Sequence, residues 1–130
     1  MIVYVDTSAA MKLVVGERES AAAAAYLVEI AASGAHLVAS MLLYTELHCA
    51  ARRRNLPFDV VNAVLAGINL VDVARSDLMY AAALPRQLRS ADAIHLAAAI
   101  RLQTDRLVAY DHELLLAATE SGLTTASPGA

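Results

Sequence analysis

Two spacings of apolar residues alternate along the chain. Short β-branched runs are "IVYV" (Ile2–Val5), "HLVA" (His36–Ala39), "LVDV" (Leu70–Val73), "RLVAY" (Arg106–Tyr110) and "LTTA" (Leu123–Ala126). Between them, apolar positions recur at helical spacing over Ser8–Val15, Glu19–Ala32, Met41–Arg54, Phe58–Ala66, Asp77–Leu84, Ala91–Leu102 and His112–Ser121. Turn and cap residues agree with this division. Gly34 and Gly122 follow helical stretches, Pro57 opens one, Pro85 closes one, and Ser76, Ser90 and Asp111 stand at N-cap positions. Strands alternating with helices predict an α/β fold, with helices on a mainly parallel sheet. No repeat or composition break interrupts residues 1–126, which read as one domain, and residues 127–130 read as a flexible tail. In such sheets ligands bind beyond the carboxyl ends of the strands, where the strand order reverses.

Acidic residues fall where that rule directs attention. Asp6 follows the first strand and Asp111 the fourth, and each starts the next helix. Asp92 lies in the first turn of a helix that is otherwise nearly all Ala, Ile and Leu. Each aspartate alone is equally explained as a cap or as a partner of the helix dipole. Glu46 is different, because it sits on or beside an apolar stripe formed by Leu42, Leu43, Leu47 and Ala50. An acid half-buried on such a face needs a partner or a cation. At about 4 Å and an effective dielectric near 20, two like charges repel by about 4 kcal/mol. Such a cluster is stable only if acids protonate or divalent cations intervene. Oxygen-only ligands select hard cations, Mg²⁺ or Mn²⁺.

Composition narrows the field. Hydrophobic residues make up 58% of 130 and the mean hydropathy is +0.51, yet no uncharged apolar run reaches the roughly 18 residues of a membrane span. "MIVYVDTS" has no basic region, so it does not read as a signal peptide. The single cysteine, Cys49, excludes an internal disulfide and fits a reducing compartment, so the cytoplasm is expected. Ten basic residues stand against thirteen acids, for a net charge of -3. A nucleic-acid role would therefore need metal ions or a small arginine cluster, not a broad basic surface.

"VDTSAAMKL", the Glu in "LLYTELHCA", "RSADAIHLAAAI" and "LVAYDHELLLAA" resemble, in order and spacing, the four acidic motifs of PIN-domain ribonucleases, and above all the VapC toxins of type II toxin–antitoxin pairs. The resemblance covers nearly the whole chain. It implies a PIN-like three-layer α/β/α sandwich and an Mg²⁺-dependent endoribonuclease in which Mn²⁺ can substitute. Asp6, Glu46, Asp92 and Asp111 would be metal ligands, with Ser8 at the hydroxyl position after the first acid and Thr7 beside it. It further implies RNA as substrate and a VapB-type antitoxin as partner. The apolar surplus also fits a homodimer, and Ser8–Val15 with Met41–Arg54 is the expected antitoxin groove. Rival readings are an RNA-processing nuclease outside toxin systems, a catalytically silent antitoxin-binding module, and a haloacid-dehalogenase-type phosphatase. The last normally needs an Asp where Ser8 stands.

Other residues carry less. His95, one turn after Asp92, has no second His or Cys nearby and reads as a packed or hydrogen-bonded histidine, not a zinc ligand. Arg86 and Arg89 are placed to reach RNA phosphates. Arg52, Arg53 and Arg54 fit a helix C-terminus equally well. His112 reads as an exposed first-turn residue, Glu113 as a solvated one, Asp105 as a turn residue at the far end of the sheet, and Cys49 as a small apolar side chain.

Overall fold

The strand Ile2–Val5 (β1) has its last three side chains fully buried, as a central parallel strand covered on both faces requires. The computed structural model describes residues 1–130. After β1 come helices α1 (Thr7–Val14) and α2 (Ser20–Ala32), strand β2 (His36–Ser40), and helices α3 (Leu42–Arg53) and α4 (Phe58–Leu65). Then follow β3 (Asn69–Val71), α5 (Arg75–Ala83), α6 (Ser90–Arg101), β4 (Arg106–Val108), α7 (His112–Glu120) and β5 (Thr124–Ala126). The five strands form one sheet in the order β3-β2-β1-β4-β5 with every pairing parallel. Helices α1 to α4 pack on one another, and α6 packs on α5 and α7. Right-handed crossovers put the two groups on opposite faces, giving the three-layer sandwich that was expected. The order reverses between β1 and β4, so the crevice for a ligand opens at the carboxyl ends of these two strands.

Several local expectations are corrected. Helix α5 begins at Arg75, and Ser76 is not its cap. Asp77 instead reaches back from the third helical position to accept the Ala74 N–H at 3.0 Å. Ser90 is the first residue of α6 rather than its cap, and extended Arg89 precedes it. The apolar stripe of α3 is Leu43, Leu47 and Ala51, which leaves Leu42 and Ala50 at its margins. Strand β3 ends at Val71, and β4 at Val108. Gly34 and Gly122 do close their helices, each with positive φ (100° and 88°). At the C-terminal tail, the Ser127 hydroxyl donates to the Ala109 carbonyl at 2.6 Å and the Tyr110 hydroxyl to that of Pro128 at 2.7 Å. No helix is long and apolar enough to cross a membrane.

Candidate active site

Asp6 leaves β1 still paired, its N–H donating to the Val108 carbonyl at 3.0 Å, and then caps α1. Its Oδ2 accepts from the Ser8 N–H at 3.0 Å and from the Ser8 hydroxyl at 2.6 Å. The Ser8 Oγ also accepts from the Tyr110 N–H at 2.9 Å. One hydroxyl therefore joins the carboxyl end of β1 to the segment after β4. Asp6 is only 2% exposed, and its Oδ1 is buried with no hydrogen-bond partner. Leaving a buried acceptor unpaired costs about 1–3 kcal/mol, and more when it is charged. That oxygen is a buried acceptor left unoccupied by any donor of the protein.

Asp111 caps α7, its Oδ1 accepting from the Leu114 N–H at 3.1 Å. Its Oδ2 accepts from Arg89 Nη2 at 3.2 Å, and Arg89 Nε lies 3.4 Å from Asp92 Oδ2. The guanidinium thus stands between two of the predicted acids as their positive counter-charge. Burial, and then the charges of Asp6 and Asp111, push the Asp92 carboxyl above the usual range, while Arg89 pulls the other way. The three aspartates therefore share one field. They do not close on a point, since no three Asp, Glu, His or Cys side chains are gathered tightly enough to hold an ion. Coulombic reach is longer than a metal–oxygen bond, so the two observations agree.

Glu46 comes from α3 on the other side. Its Oε1 accepts from the Thr7 hydroxyl at 2.7 Å and lies 2.6 Å from His95 Nε2. Burial works to raise the Glu46 pKa, but those two hydrogen bonds prevail and hold the carboxyl below its ordinary range. His95 is fully buried. Burial disfavours its imidazolium, yet the bond to Glu46 and the charges of Asp6, Glu46 and Asp92 together raise its pKa. The structure thus brings all four predicted acids and Ser8 to one end of the sheet. Thr7 holds Glu46 while Ser8 holds Asp6, so the two adjacent hydroxyls serve different carboxylates.

The donor set fits a hard divalent cation. Every candidate ligand is a carboxylate oxygen, and Asp6 Oδ1 is buried with nothing else to bind it.

Among the other residues, Arg89 reaches the site but Arg86 does not. Arg86 is taken up by Glu120 (2.7 and 3.0 Å) and Glu113 (3.2 Å) on the surface, so Glu113 is paired, not merely solvated. His112 is exposed, as are Arg52, Arg53, Arg54 and Cys49. Asp105 lies at the far end of the sheet, as expected, accepting the Ile2 N–H at 2.7 Å. Helices α1 and α3, whose faces were expected to form the antitoxin groove, pack side by side. Large exposed apolar side chains stand on α2 (Val28), α4 (Phe58, Val60), α5 (Leu78, Met79, Tyr80) and α7 (Leu116), and at Met1, Met41 and Val73 outside the helices. No local pattern signals the Glu46–His95 bond, since its partners are 49 positions apart.

Residues 3–119 match the PIN domain. The chain is 35% identical to Ribonuclease VapC47 of Mycobacterium tuberculosis, over 99% of its own length and 98% of that protein's. It is 36% identical to Ribonuclease VapC46 of the same species, over 97% of each. Among solved structures, that of VapBC2 from Rickettsia felis bound to a promoter DNA fragment matches with a TM-score of 0.76 at 14% identity, over 97% of this chain and 98% of the other. Mycobacterium tuberculosis VapC20, a toxin that cleaves the sarcin–ricin loop, matches with 0.74 at 18%, over 97% and 99%. At such identities the structural likeness speaks for the fold, and the sequence matches speak for the family. The chain belongs to the PIN-domain family, on its VapC branch.

Proposed function

We propose that the protein is an Mg²⁺-dependent endoribonuclease, a toxin that cuts cellular RNA in the cytoplasm and is neutralised by a VapB-type antitoxin. The observation that carries this reading is the placement of four carboxylates at one end of the sheet, within one another's electrostatic reach and beside the switch point, one of them with a buried, partnerless oxygen. Asp6, Glu46, Asp92 and Asp111 would hold the metal. When bound, Mg²⁺ or Mn²⁺ supplies Lewis acidity toward water and positive charge toward the phosphodiester. Ser8 fixes the Asp6 carboxylate, and Thr7 and His95 fix that of Glu46. Arg89, whose side chain is 81% exposed, is positioned to leave Asp111 and meet an RNA phosphate as substrate arrives.

The antitoxin reading draws on the VapC relatives and on the exposed apolar side chains of α4, where an amphipathic helix could lodge its anchors. An arginine from that partner would find the same carboxylates that Arg89 meets. The α5 row Leu78, Met79 and Tyr80 would be covered by a second copy in a homodimer. The test is cleavage of cellular RNA by the purified protein, with 5′ ends mapped by sequencing. Cutting should need added Mg²⁺ or Mn²⁺ and stop with EDTA. Cleavage that persists unchanged in EDTA would overturn the metal reading.

A further inference from the structure

Behind Glu46 runs a buried chain of hydrogen bonds that begins on the sheet. The Ser40 N–H, at the end of β2, donates to the Tyr4 hydroxyl oxygen at 2.9 Å. That hydroxyl lies 2.7 Å from His95 Nδ1, and His95 Nε2 lies 2.6 Å from Glu46 Oε1. Tyr4 and His95 are both fully buried, with their rings edge to face at a centroid distance of 5.7 Å. The protons can be assigned in one direction throughout. Because Ser40 supplies a proton to Tyr4 Oη, the phenol is free to give its own to Nδ1, which leaves the hydrogen on Nε2. Nε2–H then donates to Glu46. In the imidazolium Nε2 still donates to Glu46, so this bond does not depend on protonation state. The Thr7 hydroxyl donates to the same Oε1. Every hydrogen bond Glu46 accepts from a side chain therefore falls on one oxygen, and Oε2 is left for the site.

We propose that His95 is a positioning residue of the nuclease site: oriented by Tyr4 and Ser40, it fixes Glu46 so that the carboxylate serves a cation through Oε2 alone. The inference rests on the metal-dependent nuclease reading. A histidine at this depth would otherwise cost stability without return, since an apolar side chain of similar volume would fill the space between α6 and β1 with no polar atoms to satisfy. Partners behind the ligands of a metal site typically contribute 10–100-fold in affinity or activity.

The experiment measures Mn²⁺ affinity by paramagnetic resonance of the free ion, alongside kcat and KM on RNA, in folded samples verified by circular dichroism. His95→Leu should weaken Mn²⁺ binding by about 10–100-fold and lower kcat while leaving the RNA KM nearly unchanged. His95→Gln, which keeps an N–H near the Nε2 position, should recover most of both. Tyr4→Phe, which frees the imidazole to turn, should fall between them. A folded His95→Leu with wild-type Mn²⁺ affinity and kcat overturns the proposal, and so does a His95→Gln no better than His95→Leu. If His95→Leu does not fold, Thr7→Val removes the hydroxyl that meets Glu46 and His95, and Tyr4→Phe the one that meets His95 and Ser40, each at nearly constant volume, and wild-type Mn²⁺ affinity in both overturns it equally. If the wild-type protein neither binds Mn²⁺ nor cuts RNA, the nuclease reading itself falls and this one with it.

Discussion

Asp6 and Asp77 lie almost wholly inside the protein, at 2% and 1% exposure. Asp77 is saturated. Its Oδ1 accepts from Arg101 Nε at 2.7 Å, and its Oδ2 from Arg101 Nη2 and the Ala74 N–H, both at 3.0 Å. Burial alone would raise its pKa, but Arg101 and the Ala74 N–H hold it below the usual range. That pair pins α5 to α6. Asp6 has a serine on one oxygen and nothing on the other, and neighbouring Asp92 is pushed up by burial and like charge. The same residue type, equally buried, thus meets opposite surroundings. One carboxylate is surrounded by donors on both oxygens, and the other keeps a free acceptor at the end of the sheet where the proposed chemistry lies.

The largest expected effect is on activity. Asp92→Asn should lose more RNA cleavage than the roughly 10–100-fold typical of an outer partner, measured at matched Mg²⁺ on purified protein. Near-wild-type turnover would erase the functional half of the contrast. Next comes the structural half: Arg101→Met strands the Asp77 charge. The expected loss is about 2 kcal/mol in urea unfolding, below the 3–5 typical of a fully buried pair because the Arg101 side chain is 36% exposed. An unchanged midpoint would mean that the pair holds nothing together.

A smaller change of opposite sign should follow from Asp92→Asn when stability is read in EDTA. Removing a charge that burial and Asp6 and Asp111 disfavour should raise neutral-pH stability by about 1 kcal/mol. The sign of its pH dependence is fixed by linkage. The folded pKa of Asp92 is raised, so the wild type loses stability as pH climbs from the unfolded value through the folded one. The gain in the variant is therefore full at neutrality and vanishes in acid. For Asp77 the folded pKa is depressed, so its contribution is present above the ordinary carboxylate range and fades as pH falls through the depressed value. A gain from Asp92→Asn that grew in acid would contradict this account. The smallest effect belongs to the exposed Arg86 pairs with Glu113 and Glu120, where Arg86→Ala should leave the melting temperature unmoved at ordinary salt.

The alternation of strand and helix was legible because each change of apolar spacing coincides with a turn or cap residue. The four acids were legible for a related reason: three of them start helices, and Glu46 interrupts an apolar margin. The contrast between Asp6 and Asp77 was not legible. Asp77 reads locally as the start of a helix capped by Ser76, and its true partner is Arg101, 24 positions on. His95 was rightly read as a hydrogen-bonded helix residue, but its partners, Tyr4 and Glu46, arrive only through the crossovers of the sheet. Arg86 looked as well placed for the site as Arg89 until α7 supplied Glu113 and Glu120. Local patterns fix elements and their ends, whereas charge partners are chosen by topology.

The central place of β1 sets a timetable for synthesis. "IVYV" is the earliest strand to be made, yet it needs β4 beside it, and the Ser8–Tyr110 link that joins their ends spans 102 positions. At roughly 5–20 residues per second, about 5–20 seconds of translation separate those two residues. During that interval the nascent chain carries Asp6 and Glu46 but cannot assemble them with Asp111. The contacts that make the site are thus among the most non-local in the molecule, which places its formation late in folding. A chain still on the ribosome, or one truncated before Arg106, lacks the β4 pairing and the Ser8–Tyr110 link that bring Asp6 and Asp111 to one end of the sheet.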